Sequence, residues 1–416
     1  MLTVGSRGDV QPFVALAAGL RARGHEAVLA APAVFGDLAA AHGVPFAPLD
    51  LDLSLVGAAL DGRHGLSHLV RFCRTMGRGG AAVLPGAAAA ASGGADVLVH
   101  HPVLPHGQHL AEMLGVPAVV AEPIPALVPT GEFPSAAWPG RAPRIMNRAS
   151  YHAARQLAGL WCRRDNDRWR AELNLPRRRG RHNPLRSPDG TPVTVLHSFS
   201  AHVVPRPADW PANTHITGYW TLPSAPAWSP PRRLAEFTDR GDPVVYIGFG
   251  SMPGPDPQPL AEAIMTAVDQ AGARAVVTSL SPVLRRLLPT SRFLVLRNAP
   301  HDWLFPRMQA IVHHGGAGTA AAAVMAGKPQ VIWPFGIDQP FWSRRMTSLG
   351  VAPAARPVRE LTPAGFAAAL RGALGDRQMA KRAAELGAVV RAEDGLGQAV
   401  SHLEGIVTGA RLAVGA

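Results

Sequence analysis

Two cysteines in 416 residues, Cys73 and Cys162, leave no basis for a disulfide framework. They also lack the CxxC spacing of a zinc or redox site, so each reads as a small buried thiol. Lysine is nearly absent as well: Lys328 and Lys381 are the only two, and the other 39 of the 41 basic residues are arginine. No apolar run reaches the roughly 18 residues of a membrane span. The amino terminus has no basic stretch leading into an apolar one, so no signal peptide is expected and the chain is expected in the cytoplasm. Acidic residues are the remaining shortage, 29 in all, which leaves a net charge of +12. That excess is local. Arg141 to Arg186 holds 13 arginines against Asp165, Asp167 and Glu172, and includes RRRGRH, Arg177 to His182, in a Pro- and Gly-rich stretch that reads as an exposed loop. A solvated face, weak peripheral contact with an anionic membrane surface or acidic acceptor, and nucleic acid are the three readings of this segment. Nucleic acid is not expected, because neither a binding fold nor interleaved aromatics accompany the charge.

What is present suits two α/β domains. The length exceeds one ordinary domain, and 47% apolar residues can fill two cores. Strand-like runs EAVLAAP, ADVLVHH, PAVVAEP and VTVLHSF alternate with helical or irregular stretches in the first half. PVVYIGFG, ARAVVTSL, FLVLRNAP, AIVHH and PQVIWPF do so in the second. The expected division is a first domain over 1–205, a Pro- and Trp-rich linker over 206–231, and a second domain over 232–416 whose last helix packs back on the first. Only Met1 to Val4 precede the first glycine, so the first strand is expected to be short, or the natural chain to begin further upstream.

Two segments carry chemistry. From Ala310 to Trp342, AIVHH is a short buried strand, GGAG is a turn whose backbone admits a ligand closely, and TAAAAVMAG starts a helix with free N–H groups suited to an anion. PQVIWPF then forms a strand, and Asp338 and Gln339 follow at its carboxyl end, where open α/β sheets place ligands. From Val4 to Pro32, an apolar run enters Gly5 and Gly8. Phe13, Leu16, Ala17 and Leu20 then recur at helical spacing, and EAVLAAP completes a βαβ unit. GSRGDV lacks the third glycine of a dinucleotide fingerprint and carries Arg7 and Asp9 in the loop. On local grounds HHGG is either a ligand turn or a plain strand-to-helix turn. Asp9 is either a functional carboxylate or the N-cap of a helix beginning near Pro12.

Together the two segments resemble the inverting, nucleotide-sugar-dependent glycosyltransferases of the GT-B fold, in the branch of sterol glucosyltransferases and bacterial glycosyltransferases of antibiotic aglycones. The resemblance implies two facing Rossmann-like domains with the acceptor and donor in the cleft between them. It implies that His313, Gly316, Gly318 and Thr319 hold the donor diphosphate and that Asp338 and Gln339 bind sugar hydroxyls. Gly250 and Ser251 match a turn that approaches the diphosphate, with a plain turn the alternative for Ser251. In APHDWLF, the backbone at Pro300 and His301 matches the nucleobase site, while Asp302 and Trp303 read as a helix start and a core anchor. Many plant relatives place a ribose-binding glutamate where this chain has Ala321. Asp9 matches the general base, which takes the acceptor proton as the hydroxyl attacks the anomeric carbon and the diphosphate leaves with inversion.

UDP-glucose is the expected donor, with no cofactor and no metal, since no DxD pair with acidic neighbours is seen. The expected acceptor is a hydrophobic small molecule such as a sterol, polyketide or aromatic alcohol, walled by Leu51–Phe72, His100–His109 and Glu122–Trp138. His101, His106 and His109 are spaced like metal ligands but lack an acidic or thiol partner, and read better as surface or cleft histidines. Two alternatives remain: a GT-B enzyme of another reaction or acting on a membrane lipid or lipid-linked intermediate, and a non-catalytic binding partner. The second would be marked by loss of Asp9 or the Asp-Gln pair, and both are present.

Overall fold

Parallel strands require crossovers, and the alternation of short apolar runs with amphipathic stretches supplies them throughout this chain. The structure, a computed structural model, describes residues 1–51, 83, 85–138, 143–161, 163–178, 182–239, 241, 243–250, 257–279, 281–288, 291–354 and 356–414. Ser251, both cysteines and residues 52–72 of the expected acceptor wall lie outside the described residues. The chain divides into two compact units, Met1–Leu222 with Glu393–Ala416, and Pro223–Ala392.

The first unit contains α1 (Arg7–Ala22), β1 (Leu29–Pro32), α2 (Gly36–Ala40), β2 (Phe46–Leu49), β3 (Leu98–His100), α3 (His106–Leu114), β4 (Ala118–Glu122), α4 (Asn147–Trp161), α5 (Arg163–Glu172), β5 (Thr194–His197) and β6 (Thr214–Ile216). β1 pairs with β2, and β3, β4, β5 and β6 pair in that order, all parallel. Leu2 bridges the two sets, meeting Ala30 of β1 on one side and His100 of β3 on the other. The first strand thus reduces to a bridge, held by Leu2 N–H to Val99 O (2.8 Å) and His101 N–H to Leu2 O (2.9 Å). Alternation along the strands sorts side chains to two faces. Leu29, Ala31 and Val99 pack with Phe13 and Leu16 of α1, while Ala30, Leu98 and Leu2 pack with Leu104 and Leu110.

One boundary differs from expectation. Residues 206–222 belong to the first unit rather than to a linker. Thr214 lies in register with Val195, and Trp220 is 4% exposed with its indole edge against Phe13. The terminal helix (Gly395–Val414) also belongs there, packed on α1, with Arg23 reaching Ser401 Oγ (2.9 Å) and Glu404 Oε2 (3.0 Å).

The second unit contains α6 (Arg232–Thr238), β7 (Val244–Gly248), α7 (Pro257–Gln270), β8 (Arg274–Thr278), α8 (Pro282–Leu287), β9 (Phe293–Leu296), α9 (His301–Leu304), β10 (Ile311–His313), α10 (Ala317–Met325), β11 (Gln330–Ile332), α11 (Gln339–Ser348), α12 (Pro363–Gly375) and α13 (Arg377–Arg391). Its parallel sheet runs β11-β10-β7-β8-β9. Val245 and Ile247 face α7 and α12, and Val244 and Tyr246 face α6 and the 304–308 turn, so helices cover both faces. Among the described residues no helix is long and apolar enough to cross a membrane.

Candidate functional site

Helix α1 begins earlier than its proline suggests. Ser6 is the N-cap and Asp9 the third helical residue of a capping box: Ser6 N–H donates to Asp9 Oδ2 (2.7 Å), Ser6 Oγ donates to the same oxygen (3.0 Å), and Gly8 N–H donates to Ser6 Oγ (3.3 Å). The expected start near Pro12 is therefore corrected to Arg7, with Pro12 inside the helix. The Ser6-x-x-Asp9 spacing is a signal that sequence reasoning passed over.

Capping uses only one oxygen of Asp9. Oδ1 points toward His101 Nε2 at 3.7 Å, and a third of the Asp9 side chain meets solvent. His101 is 7% exposed, and burial drives its pKa down to about 3, so it is neutral at ordinary pH. Its Nδ1 accepts Val103 N–H (3.4 Å), which leaves the proton on Nε2, directed at the carboxylate. Burial raises the Asp9 pKa above 3.8 while the Ser6 hydrogen bonds oppose the rise. A half-desolvated carboxylate whose second oxygen is not spent on capping has the form of a general base.

The other two histidines of this stretch are buried, not at the surface. The His106 ring lies 3.8 Å from that of Trp169. His109 takes Asn166 Oδ1 at 3.2 Å on one nitrogen and Arg170 Nη1 at 3.2 Å on the other. Arg170, 2% exposed, forks onto Glu112 (2.6 and 2.8 Å), so part of the Arg-rich segment serves internal packing. Among the described residues no three His, Cys, Asp or Glu side chains converge as ligands for a metal. At the carboxyl ends of β4 and β5, Glu122 accepts Ala126 N–H (3.0 Å) and Leu127 N–H (2.9 Å). Burial pushes its pKa up to about 8.

In the second unit the sequence Ile311–Thr319 folds as a strand, a glycine turn and a helix. His313 is bonded to this turn from inside the core. It is 0% exposed, its Nε2 meets Gln330 Oε1 at 2.9 Å, and its Nδ1 accepts Gly315 N–H at 3.0 Å. Both nitrogens are engaged inside the chain, so His313 holds the turn. The reason is strand parity: Gln330 pairs with Ile311, two residues before His313, on the same face of the sheet. The adjacent His314, which sequence reasoning did not select, has its ring between the Gly250 and Gly316 turns. A Cβ on Gly316 would stand 2.5 Å from His314 Nε2, and one on Gly250 would stand 2.9 Å from its Cε1. Gly250 also holds φ +65°, so glycine is needed there twice over. Burial lowers the His314 pKa to about 4, opposed by the Gly248 carbonyl, and its Nδ1 makes no hydrogen bond among the described residues.

Gly316 is the N-cap of α10 and has no side chain to close it. Ala320 is the first residue whose N–H finds a carbonyl, that of Gly316 (3.0 Å). The N–H groups of Ala317, Gly318 and Thr319 therefore point out of the helix end, with Gly318 exposed.

Asp338 caps α11 by position without a side-chain hydrogen bond to it, and Ile337 before it holds φ +55°, a strained conformation for a β-branched residue. Gln339 is 4% exposed, and its Oε1 accepts Phe335 N–H (2.7 Å) and Gly336 N–H (3.3 Å). Its amide can offer a ligand only the NH2 group. The His301 ring stacks on Phe305 (4.1 Å) at the start of α9. Asp302 binds Ser224 N–H (2.7 Å), and Trp303 meets Trp228 edge-on, which makes both structural.

Comparison with known proteins agrees with this layout. Residues 1–129 match the glycosyltransferase family 28 N-terminal domain, and residues 261–403 match the erythromycin biosynthesis protein CIII-like C-terminal domain. A sterol 3-beta-glucosyltransferase of Emericella nidulans is 35% identical over 419 residues, covering 97% of this chain but only 29% of that relative. The O-mycaminosyltylonolide 6-deoxyallosyltransferase of Streptomyces fradiae is 34% identical over 435 residues, covering 97% of this chain and 96% of the relative. The solved glycosyltransferase of kitacinnamycin superposes with a TM-score of 0.73 at 19% identity, covering 98% of each chain. Two parallel-sheet units with helices on both faces, arranged in this order, define the GT-B fold. The chain belongs to the glycosyltransferase family that contains these sterol and macrolide sugar transferases.

Proposed function

We propose that this chain is a cytoplasmic inverting glycosyltransferase that moves glucose from UDP-glucose to a hydroxyl of an apolar alcohol of sterol, polyketide or aromatic type. The observation that carries this is Asp9, whose Oδ2 is fixed by Ser6 while Oδ1 remains turned away from the helix end. In this reading Oδ1 takes the acceptor proton as the oxygen bonds to the anomeric carbon. The acceptor sits against the segments His100–His109 and Glu122–Trp138 of the first unit. The donor diphosphate lies at the amino end of α10, where the N–H groups of Ala317, Gly318 and Thr319 meet the charge that grows on the leaving group. His314 is the histidine we assign there, with Gly250 and Gly316 giving it room. Asp338 and the Gln339 NH2 group take the sugar hydroxyls, and the backbone at His301 takes the base. No cofactor or metal enters this scheme.

The test is turnover. UDP-glucose and dTDP-linked deoxysugars are offered with a panel of apolar alcohols, with and without chelator, and the anomeric configuration of the product is read by NMR. A β-glucoside formed from UDP-glucose in the presence of chelator supports the reading. A retained configuration, or a requirement for a divalent ion, overturns it.

A further inference from the structure

The arginine excess between Arg141 and Arg186 is left over by transfer chemistry. Arg148, Arg168 and Arg170 are held in ion pairs with Asp209 (2.7 Å), Glu172 (2.8 Å) and Glu112 (2.6 Å). Arg155 and Arg186 bond neutral atoms instead. Arg155 Nη2 meets His152 Nδ1 at 2.9 Å, and Arg186 Nη1 donates to Gly190 O at 2.8 Å. Each guanidinium has five N–H donors, so both retain donors for another acceptor.

These two arginines border the same cavity, of about 300 Å³, in the first unit, with Val128, Leu185 and Val195 as apolar walls. Thr214, the first residue of the edge strand β6, also lines it. Thr214 is 1% exposed and its Oγ1 is buried without a hydrogen-bond partner among the described residues. A buried hydroxyl left unsatisfied costs stability, and a bound polar group would relieve that cost. The cavity shares Val128 with the proposed acceptor wall but lies away from Asp9. Val195 and Thr214 lie near the amino ends of their strands, whereas Asp9 and His101 lie at the carboxyl ends of theirs. In the order Leu2, β3, β4, β5, β6, the edge strand is four strand spacings from Leu2, about 19 Å.

We propose that this cavity binds a small amphiphilic anion, with a single short apolar group against Val128, Leu185 and Val195 and its phosphate or carboxylate between Arg155 and Arg186. The volume lies at the lower end of the roughly 300–1,000 Å³ of ligand sites, so it fits one short chain and not a two-chain phospholipid. Partial burial lowers the Arg155 pKa, so the guanidinium regains from an anion what it lost from water. Apart from Val128, which falls in the proposed acceptor wall, none of its lining residues is assigned a part in transfer.

Octyl phosphate is the probe, titrated calorimetrically into the full chain beside octyl glucoside, which keeps the tail, and inorganic phosphate, which keeps the head. Octyl phosphate should bind once per chain, at least tenfold more tightly than either control, and more weakly as salt rises. The double variant Arg155→Gln with Arg186→Gln should lose at least tenfold for octyl phosphate and little for octyl glucoside. Arg186 is exposed, so Arg186→Gln alone serves as a variant whose folding is not in question and should lose severalfold. Equal binding of octyl phosphate and octyl glucoside, unchanged affinity in a folded arginine variant, or no saturable binding to millimolar concentration would each overturn the proposal.

Discussion

The Ser6–Asp9 loop and the His314–Thr319 turn are the same device finished in two ways. Each leaves a parallel strand position, turns at glycine and opens a helix. In the first unit the helix end is closed by its own carboxylate: Asp9 at the third helical residue holds Ser6, and its negative charge sits where an anionic ligand would otherwise be favoured. In the second unit the corresponding residue is Thr319, the cap is a glycine, and the N–H groups stay open. One end is suited to hold a carboxylate steady beside a hydroxyl, and the other to receive a diphosphate. Which chemistry a strand–turn–helix junction supports is decided by what closes the helix end.

The sharpest way to break this contrast is to remove the charge from the first end. Asp9→Asn keeps an oxygen for Ser6 and should lower kcat by about a thousandfold or more while leaving nucleotide-sugar affinity unchanged. The wild-type rate should fall on the acid side at a pH above 3.8, because the base must be ionised and burial raises its pKa. Near-normal turnover in the variant would end the base assignment. Making the second end resemble the first is the complementary change. Thr319→Asp places a carboxylate at the third helical residue of α10 and should weaken donor binding by tenfold or more, with the melting temperature unchanged or slightly raised. Undiminished donor affinity would show that the diphosphate lies elsewhere.

The paired histidines should separate by readout. His314→Ala should weaken UDP binding by about tenfold with little loss of stability. His313→Ala should destabilise by about 2–3 kcal/mol through two lost buried hydrogen bonds, measured by denaturant unfolding. The opposite pattern would restore His313 as the ligand.

A further prediction concerns Glu122. Its folded pKa is raised from 4.5 to about 8, so between those values the folded state keeps a proton that the unfolded state has released. Stability is therefore lost as pH rises through that window, at up to about 1.4 kcal/mol per pH unit. His197, at 3.6 Å, is held neutral by burial with its pKa near 3, so it opposes this trend below its ordinary value of 6.5 and drops out above it. Melting curves from pH 6.5 to 9 should fall and then level for the wild type, and stay flatter for Glu122→Gln. Parallel curves would mean that Glu122 does not titrate as assigned.

Much of this was legible in the residues. The nine main strand runs announced themselves by apolar composition, and both loops that carry the candidate chemistry stood out before any coordinates. β2 did not, because Pro45 and Pro48 argue against a strand; proline is tolerated there since β2 lies at the edge of the sheet. β6 was hidden in a Pro- and Trp-rich stretch, and only its pairing with β5 makes Thr214–Ile216 a strand. The helix start at Arg7 was written in Ser6 and Asp9 but obscured by Pro12.

Sequence by itself determined the alternation of strands and helices, the uncapped glycine turn after β10 and the presence of a carboxylate in the first loop, because these depend on local pattern and backbone freedom. Tertiary structure alone decided that His313 is buried against Gln330 while its neighbour stands between two glycine turns. It also decided that Asp9 shares its oxygens between Ser6 and the side facing His101. Adjacent residues on a strand point to opposite faces, and only the packed sheet shows which face is core.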